Sequence, residues 1–501
     1  MPESSRPNIL YIHTDQHNPF VTGCYGDPLV QTPNLDRLAQ TGAIFDATYC
    51  ASPICVPSRA SMLTARYPYQ NQVWTNNHVL DSGIPTLAHA MGSVGYRPAL
   101  VGRMHAVGPD QLHGYSERFV GDHSPNHLGG GQVDRGVLDG TAGPDRVSLV
   151  RAGAGQSAYQ VHDEDVTAHA VAYLDRLGVE KRAYGALDPF SLSVGFMLPH
   201  APFVARRDVY DHYRDQMTMP AHAWPYAQET HSYIRQWRAY TNIQEDVADE
   251  LVLQSRAAYW ALVHDIDEMI GRILRALEEN DLADNTLIVY TSDHGDMVGE
   301  RGLWWKHVFY EGSARIPLIM NWAGVIAPGQ RCGAVNTALD VTATLVDAAG
   351  AEPLPGGGGR SLLGLVSDAR PTPDWDDVGF SEYCADQYAP EGETYQRMVR
   401  RGPWKLIYYH GHAPQLFNLA EDPHELHDLG EDAAYADVRA ELTGLVLADW
   451  DPDAVQQVLA KKRADAKVLR GWANNTLPAE QYRWNLDPRM NYLDDFSPER
   501  A

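Results

Sequence analysis

Long apolar runs are missing from this sequence: no stretch approaches the roughly 20 residues that a bilayer-spanning helix needs, which sets membrane insertion aside. Cysteine is scarce too. The five present, Cys24, Cys50, Cys55, Cys332 and Cys384, are odd in number and scattered through 501 residues, a poor framework for disulfides. Basic residues are outnumbered, with 40 Lys and Arg against 65 Asp and Glu and a formal charge of −25. That balance repels nucleic acid and anionic membrane, so neither is expected as a partner. It leaves small anionic substrates open, because a bound cation and a few Arg or Lys set the local field. The opening Met1-Pro2-Glu3-Ser4-Ser5-Arg6-Pro7 lacks the basic-then-apolar order of a secretory leader. A reducing, cytoplasmic setting is the expectation. No internal repeat is visible.

What is present is alternation. Short apolar runs alternate with helical patterns through residues 1–370, the signature of an α/β domain with a mostly parallel sheet flanked by helices. The expected core strands are Asn8–Thr14, Arg97–Gly102, Phe190–Met197, Thr286–Thr291 and Pro317–Asn321. Thr32-Pro33-Asn34 starts a helix that ends by Gly42, and Pro85-Thr86-Leu87 starts another that ends near Gly95. Tyr259, Leu262, Ile266, Met269, Ile273 and Leu277 recur at spacings of three and four, which predicts a long amphipathic helix over Ala257–Glu279. The run Leu354-Pro355-Gly356-Gly357-Gly358-Gly359 cannot hold regular structure. Residues 371–501 read as a smaller α+β domain with antiparallel strands at Gln396–Arg401, Trp404–Tyr409 and Gln415–Leu419, a helix from about Ala433 to Trp450, and an extended tail.

Ligands of an open parallel sheet bind at the carboxyl ends of its strands. Four of the expected strands run there into groups capable of chemistry: Asp15-Gln16, Arg103-Met104-His105, Pro199-His200, and Asp293-His294-Gly295-Asp296. Asp or His after one strand is often a turn residue or helix cap, but four such ends are hard to dismiss together. Asp15, Gln16, Asp293 and His294 form an oxygen-rich set with one imidazole, suited to a hard divalent cation, calcium first, with magnesium or manganese as alternatives.

Cys55-Val56-Pro57-Ser58-Arg59, followed by Leu63-Thr64-Ala65-Arg66, is the strongest local pattern. On its own, a Cys beside an Arg at a helix start is expected to have a lowered pKa and to act as a thiolate. The pattern also resembles the Cys-x-Pro-x-Arg motif of the type I sulfatase family, in the alkaline phosphatase superfamily. That motif is read by a formylglycine-generating enzyme, which oxidises the Cys. The resemblance covers almost the whole chain. It includes Pro7-Asn8-Ile9-Leu10, Thr32-Pro33-Asn34-Leu35-Asp36, Asp293-His294-Gly295, Trp404-Lys405-Leu406 and Leu416-Phe417-Asn418-Leu419. Gln16 and His294 resemble the branch that holds choline sulfatases and phosphonate monoester hydrolases. Gly108-Pro109-Asp110-Gln111-Leu112-His113-Gly114 and Gly299-Glu300-Arg301-Gly302-Leu303-Trp304 lean toward choline sulfatase. Two departures stand out: Ala65 where the extended motif has Gly, and Arg103 where the family has Lys.

The resemblance implies an alkaline-phosphatase-like fold and a sulfuric ester hydrolase acting on a small sulfate ester such as choline sulfate. Formylglycine from Cys55 would hydrate to a geminal diol, one oxygen attacking sulfur and the other expelling sulfate. Arg59 would hold the diol and order the metal site. Asn76, Arg103 and Lys306 would contact the sulfate oxygens; His200 would protonate the leaving oxygen and His105 would partner the diol, the two being exchangeable. Trp74, Trp304 and Trp305 are candidates to wall the substrate pocket, with Trp304 the one assigned to it. A homo-oligomer is expected. Two alternatives stand: a phosphonate monoester or phosphodiester hydrolase of the same superfamily, and an inactive sulfated-ligand-binding protein whose Cys55 stays a thiol.

Overall fold

The structure, a computed structural model, describes residues 6–129, 133–185, 187–367, 370, 374–385 and 394–495. An eight-stranded sheet forms its centre. Its strands are β1 (Asn8–Asp15), β2 (Ala43–Phe45), β3 (Pro98–Gly102), β4 (Glu117–Phe119), β5 (Ser191–Pro199), β6 (Thr286–Ser292), β7 (Leu318–Asn321) and β8 (Gln330–Cys332). They lie side by side in the order β8-β2-β7-β6-β1-β5-β3-β4. Only β7 runs against its neighbours.

Alternation along β1 explains why a nearly continuous apolar run makes a central strand. Ile9 and Tyr11 enter one hydrophobic core, while Leu10 and Ile12 enter another on the opposite face. Helices cover both faces, as a buried parallel sheet requires. Helix α1 is Pro33–Gln40, α2 Cys55–Thr64, α3 Leu87–Ser93, α4 Ala158–Tyr184, α5 Asp249–Glu279 and α6 Ala338–Ala348. Helices α2 and α6 pack together, as do α4 and α5. The long helix α5 starts at Asp249, a full two turns before the expected Ala257, because Val252 and Ser255 continue its buried stripe.

The C-terminal part forms a second sheet, antiparallel throughout, of β9 (Val378–Ala385), β10 (Thr394–Arg401), β11 (Trp404–Tyr409) and β12 (Gln415–Asn418). Strand β9 is an addition to the expected three: Glu382 interrupts its apolar pattern, yet is buried because it accepts hydrogen bonds from Trp74 and Tyr69. The expected helix near 433–450 is a 3-10 turn, Ala433–Tyr435, leading into α7, Ala436–Leu447. The tail then holds an unforeseen long helix, α8 (Pro452–Thr476). Asp451 caps it and Pro452 starts it, but only Pro452, Val455, Leu459 and Ala473 are buried, too few for a clear period. Beyond α8 the chain returns to the large sheet's domain, where Tyr492 and Leu493 pair with Gln156 and Gly155. All five cysteines are free thiols. Among the described residues no helix is long and apolar enough to cross a membrane.

Candidate active site

Strand register assembles the site. Strand β1 lies between β5 and β6, with Asp15 opposite Pro199 and Thr14 opposite Ser292. The next residues out, His200 and Asp293, therefore flank Asp15. On the far side of β5, Gly102 pairs with Gly195. A Cβ at Gly195 would stand 1.8 Å from the Arg103 carbonyl oxygen, so glycine there lets Arg103 leave the sheet toward Asp15.

Cys55 is the first residue of α2. The Asn76 side-chain oxygen accepts the Val56 N–H at 2.9 Å, satisfying one of the open donors at that helix start. Ser58 Oγ donates to the Asp293 carbonyl at 2.6 Å, which ties the helix to the end of β6. Ala65 closes α2 in the left-handed conformation, at φ 52°. That is the reason glycine suits this position.

The Cys55 sulfur lies 3.5 Å from Asp15 Oδ1, 3.2 Å from His294 Nε2 and 3.0 Å from Lys306 Nζ. It occupies the place that the oxygens of an oxidised side chain would take. The unmodified thiol is a poor nucleophile here. Burial first, then Asp15, push its pKa up to about 11, against Lys306. This overturns the expected lowered pKa. Arg59, the neighbour that was to stabilise a thiolate, is spent elsewhere: Nε donates to Asp293 at 2.8 Å, Nη2 to the Thr14 carbonyl at 3.0 Å, and Nη1 to the Arg103 carbonyl at 3.1 Å.

Asp15, Cys55, Asp293 and His294 present ligand atoms that all lie within 4.8 Å of one another, fully buried. Three of the four residues expected to hold a cation are in this group. The fourth, Gln16, adjoins it: its amide nitrogen donates to Asp296 at 2.6 Å, and its Oε1 is buried without a protein partner. An orphaned oxygen next to two carboxylates fits a cation ligand. His294 fits as well. Its Nδ1 faces the Gly295 carbonyl at 3.0 Å, which leaves the Nε2 lone pair toward the carboxylates, and burial lowers its pKa to about 4, keeping the ring neutral.

Four cationic or imidazole groups ring this cluster. Burial would push the Asp15 carboxyl up, but Arg103, His200, Lys306 and Arg59 overcome it and hold the group well below the usual carboxylate range. Arg103 Nε donates to Asp15 at 2.8 Å and Nη2 to His105 Nδ1 at 2.7 Å, while Nη1 is buried with no partner. Because Arg103 can only donate, His105 carries its hydrogen on Nε2. Lys306 bridges Cys55 to His200, whose Nε2 accepts at 2.8 Å; His200 Nδ1 donates to the Ala201 carbonyl at 2.6 Å. Neither imidazole touches Cys55. Lys306 stands between Cys55 and His200, and His105 bonds to Arg103.

Trp304 is placed differently from expectation. It is 1% exposed and its ring packs on Phe203 in the core beneath the sheet ends. Trp305 donates to Ser148, and Trp74 to Glu382. All three tryptophans pack in the interior and form no box around Cys55. Several supporting residues escape a reading of the sequence. Asp296 holds Gln16 and accepts the Trp305 N–H; Asp122 accepts the His105 N–H at 2.9 Å; Asp163 accepts the N–H groups of Met197 and Leu198. Asp296 was visible as a strand-end group. The other two act on backbone far away in sequence and leave no local pattern.

A mixed sheet with a carboxylate cluster at its strand ends, one cysteine at a helix start and a lysine over it defines a metal-assisted ester hydrolase. Residues 7–351 match the sulfatase family, and residues 299–449 match the C-terminal part of N-sulphoglucosamine sulphohydrolase. The chain belongs to the sulfatase family and is a sulfuric ester hydrolase. It is 36% identical to a choline-sulfatase of Rhizobium meliloti (strain 1021) over 97% of this chain and 94% of that one. It is 26% identical to an N-acetylglucosamine-6-O-sulfatase of Bacteroides thetaiotaomicron, over 92% and 90%. Among solved structures, the phosphonate monoester hydrolase of Agrobacterium radiobacter shares the fold, with a TM-score of 0.70 and 24% identity over 88% of this chain and 95% of that one.

Proposed function

We propose that this sulfatase cleaves a small sulfate monoester, choline sulfate first among the candidates, after Cys55 has been oxidised to formylglycine. A divalent cation, calcium first, would be held by Asp15, Gln16, Asp293 and His294. The observation that carries this reading is the position of the Cys55 sulfur, within 3.5 Å of Asp15, His294 and Lys306 at once. The choice of choline sulfate is supported by likeness to the Rhizobium enzyme.

When bound, the cation supplies positive charge that polarises the ester and favours an oxyanion at residue 55. The hydrated aldehyde supplies two hydroxyls on one carbon, so that ester cleavage and sulfate release use different oxygens. The protein's own groups do the rest. Arg59 fixes both carboxylates. Arg103 Nη1 and Lys306 Nζ donate to the sulfate oxygens, and Asn76, whose side-chain oxygen holds the Val56 N–H, would turn its amide nitrogen to the same use. The Lys306–His200 pair is the acid: the ammonium proton is shared with His200 Nε2, which passes it to the leaving oxygen. His105, its hydrogen fixed on Nε2 by Arg103, donates toward the substrate.

Peptide mass spectrometry across residue 55 in protein from the native host, with rates on choline sulfate, an aryl sulfate and an aryl phosphonate, tests the reading. Formylglycine with dominant sulfate turnover is expected. Dominant phosphonate turnover would move the enzyme to the phosphonate monoester hydrolases, whose fold it shares. A thiol only, with binding and no turnover, would make it a silent sulfated-ligand-binding protein.

A further inference from the structure

The buried Asp163 has no place in the chemistry above, yet it grips the backbone that leads into His200. It sits in the second turn of α4 and is fully buried. Both its oxygens accept the Met197 N–H at 3.0 Å, and Oδ2 also accepts the Leu198 N–H at 2.8 Å. These two amides are the last of β5 before Pro199 and His200, so one carboxylate sets the point from which the His200 loop departs. His162 extends the clamp. Its Nδ1 meets Asp163 Oδ1 at 2.8 Å and its Nε2 meets the Gly121 carbonyl at 2.8 Å, so the ring spans the two segments. Gly121 precedes Asp122, which holds the His105 N–H.

We propose that Asp163 is a positioning residue for His200, and that the His162–Asp163 pair ties the His200 loop to the loop bearing His105. This rests on the reading of His200 as the group that delivers the proton. The C-terminal tail completes the device: Trp484 packs edge-on against the His162 ring, 5.1 Å between centroids, and its backbone N–H donates to the Asp122 carbonyl at 3.1 Å. The step served is proton delivery. As the sulfur–oxygen bond breaks, its electron pair leaves with the oxygen, which takes the proton that His200 Nε2 receives from the Lys306 ammonium, leaving Lys306 neutral; a displaced ring delivers it late. A poor leaving group suffers from that and a good one does not, because an oxyanion of low basicity departs unprotonated.

The test is a leaving-group series run on the full-length, modified and metal-loaded enzyme, from an electron-poor aryl sulfate to an alkyl sulfate. In D163N, kcat for the alkyl sulfate is expected to fall by about 10-fold or more, the scale of a small misplacement, while the aryl sulfate stays within about 3-fold and KM moves little. H162A, which leaves the carboxylate in place, gives the same selective loss in smaller size and covers the case in which D163N does not fold. H200N is run beside them. If H200N is selective and both clamp variants slow all substrates equally, the positioning role is overturned and Asp163 is structural. If H200N itself is unselective, the acid assignment falls first and takes this proposal with it.

Discussion

Lys306 Nζ stands 3.0 Å from the Cys55 sulfur and faces His200 on its other side. Burial works against its charge, but the Cys55 sulfur and the Asp15 carboxylate outweigh that and raise its pKa above the ordinary lysine value. The ammonium is therefore kept where a sulfate would meet it. K306M, of similar length and uncharged, is expected to lower kcat/KM by roughly 100- to 1000-fold, the usual cost of removing one donor to developing charge. The melting temperature should change little. Steady-state kinetics and a melt on the same preparation check both; an unchanged kcat/KM would remove Lys306 from the reaction.

Gln16 offers a metal prediction with a readout other than activity. Its Oε1 is buried without a protein partner, and Asp296 holds the amide at the other atom. Stripping with a chelator and restoring calcium should raise the melting temperature, because an ion that binds only the folded state stabilises it by mass action. Q16A should shrink that calcium-dependent rise. A rise of equal size in Q16A would show that the ion is held without it.

Much of this site could be read from residue order, and the reason is geometric. Parallel strands in register put Asp15, Arg103, His200 and Asp293 at one sheet edge whatever the loops do between them. Lys306 was visible only through family likeness, since it follows no strand. The surroundings of Trp304 and of the Cys55 thiol have another origin: they come from distant segments, Phe203 for the ring and Asp15 for the thiol, which neighbours in sequence do not announce. Asp122 and Asp163 grip backbone amides, which every residue has, so nothing in the sequence marks their partners.

Ala65 predicts a stabilising change. A left-handed non-glycine residue costs about 1–2 kcal/mol, and Ala65 closes α2 at φ 52°. A65G should recover about 1 kcal/mol, seen as a higher denaturant midpoint at unchanged slope. A lower midpoint would mean that the Ala65 methyl packs better than its backbone is strained.

Two buried carboxyls should each contribute stability that is lost as pH rises from 5 to 8. On α5, burial pushes Asp265 up to about 7 and Asp267 up to about 6, against Arg206 and Gln160 for the first and the Leu35 and Asn34 amides for the second. Unfolded, both titrate near 4. Raised folded values mean that the native state binds these protons more tightly. Their contribution is complete below pH 4 and is lost as pH climbs through 6 and 7, on the order of a few kcal/mol in all. D265N removes the larger share. Stability at pH 8 relative to pH 5 should therefore be higher in D265N than in the parent, and an unchanged difference would show that Asp265 is already ionised at pH 5.

The Lys405 cluster makes the sharpest stability prediction, because two buried carboxylates share one buried lysine. Lys405 on β11 contacts Glu311 at 2.9 Å and Glu425 at 2.7 Å, and Tyr49 donates to Glu311. The cluster joins the second sheet to the segment that follows Lys306. Burial raises both carboxyls, yet Lys405 and Arg315 hold Glu311 below its ordinary value, whereas Glu425, facing Glu311 as well, is pushed above it. One lysine thus balances one carboxylate, and the proton most easily added goes to Glu425. K405M leaves Glu311 buried with only the longer Arg315 contact, 3.7 Å, and the Tyr49 hydroxyl, and should cost about 3 kcal/mol. E425Q keeps the pair that matters and should cost clearly less. Denaturant unfolding of the two variants decides it: equal losses would mean that Glu425 is a full carboxylate and that the cluster carries a net negative charge.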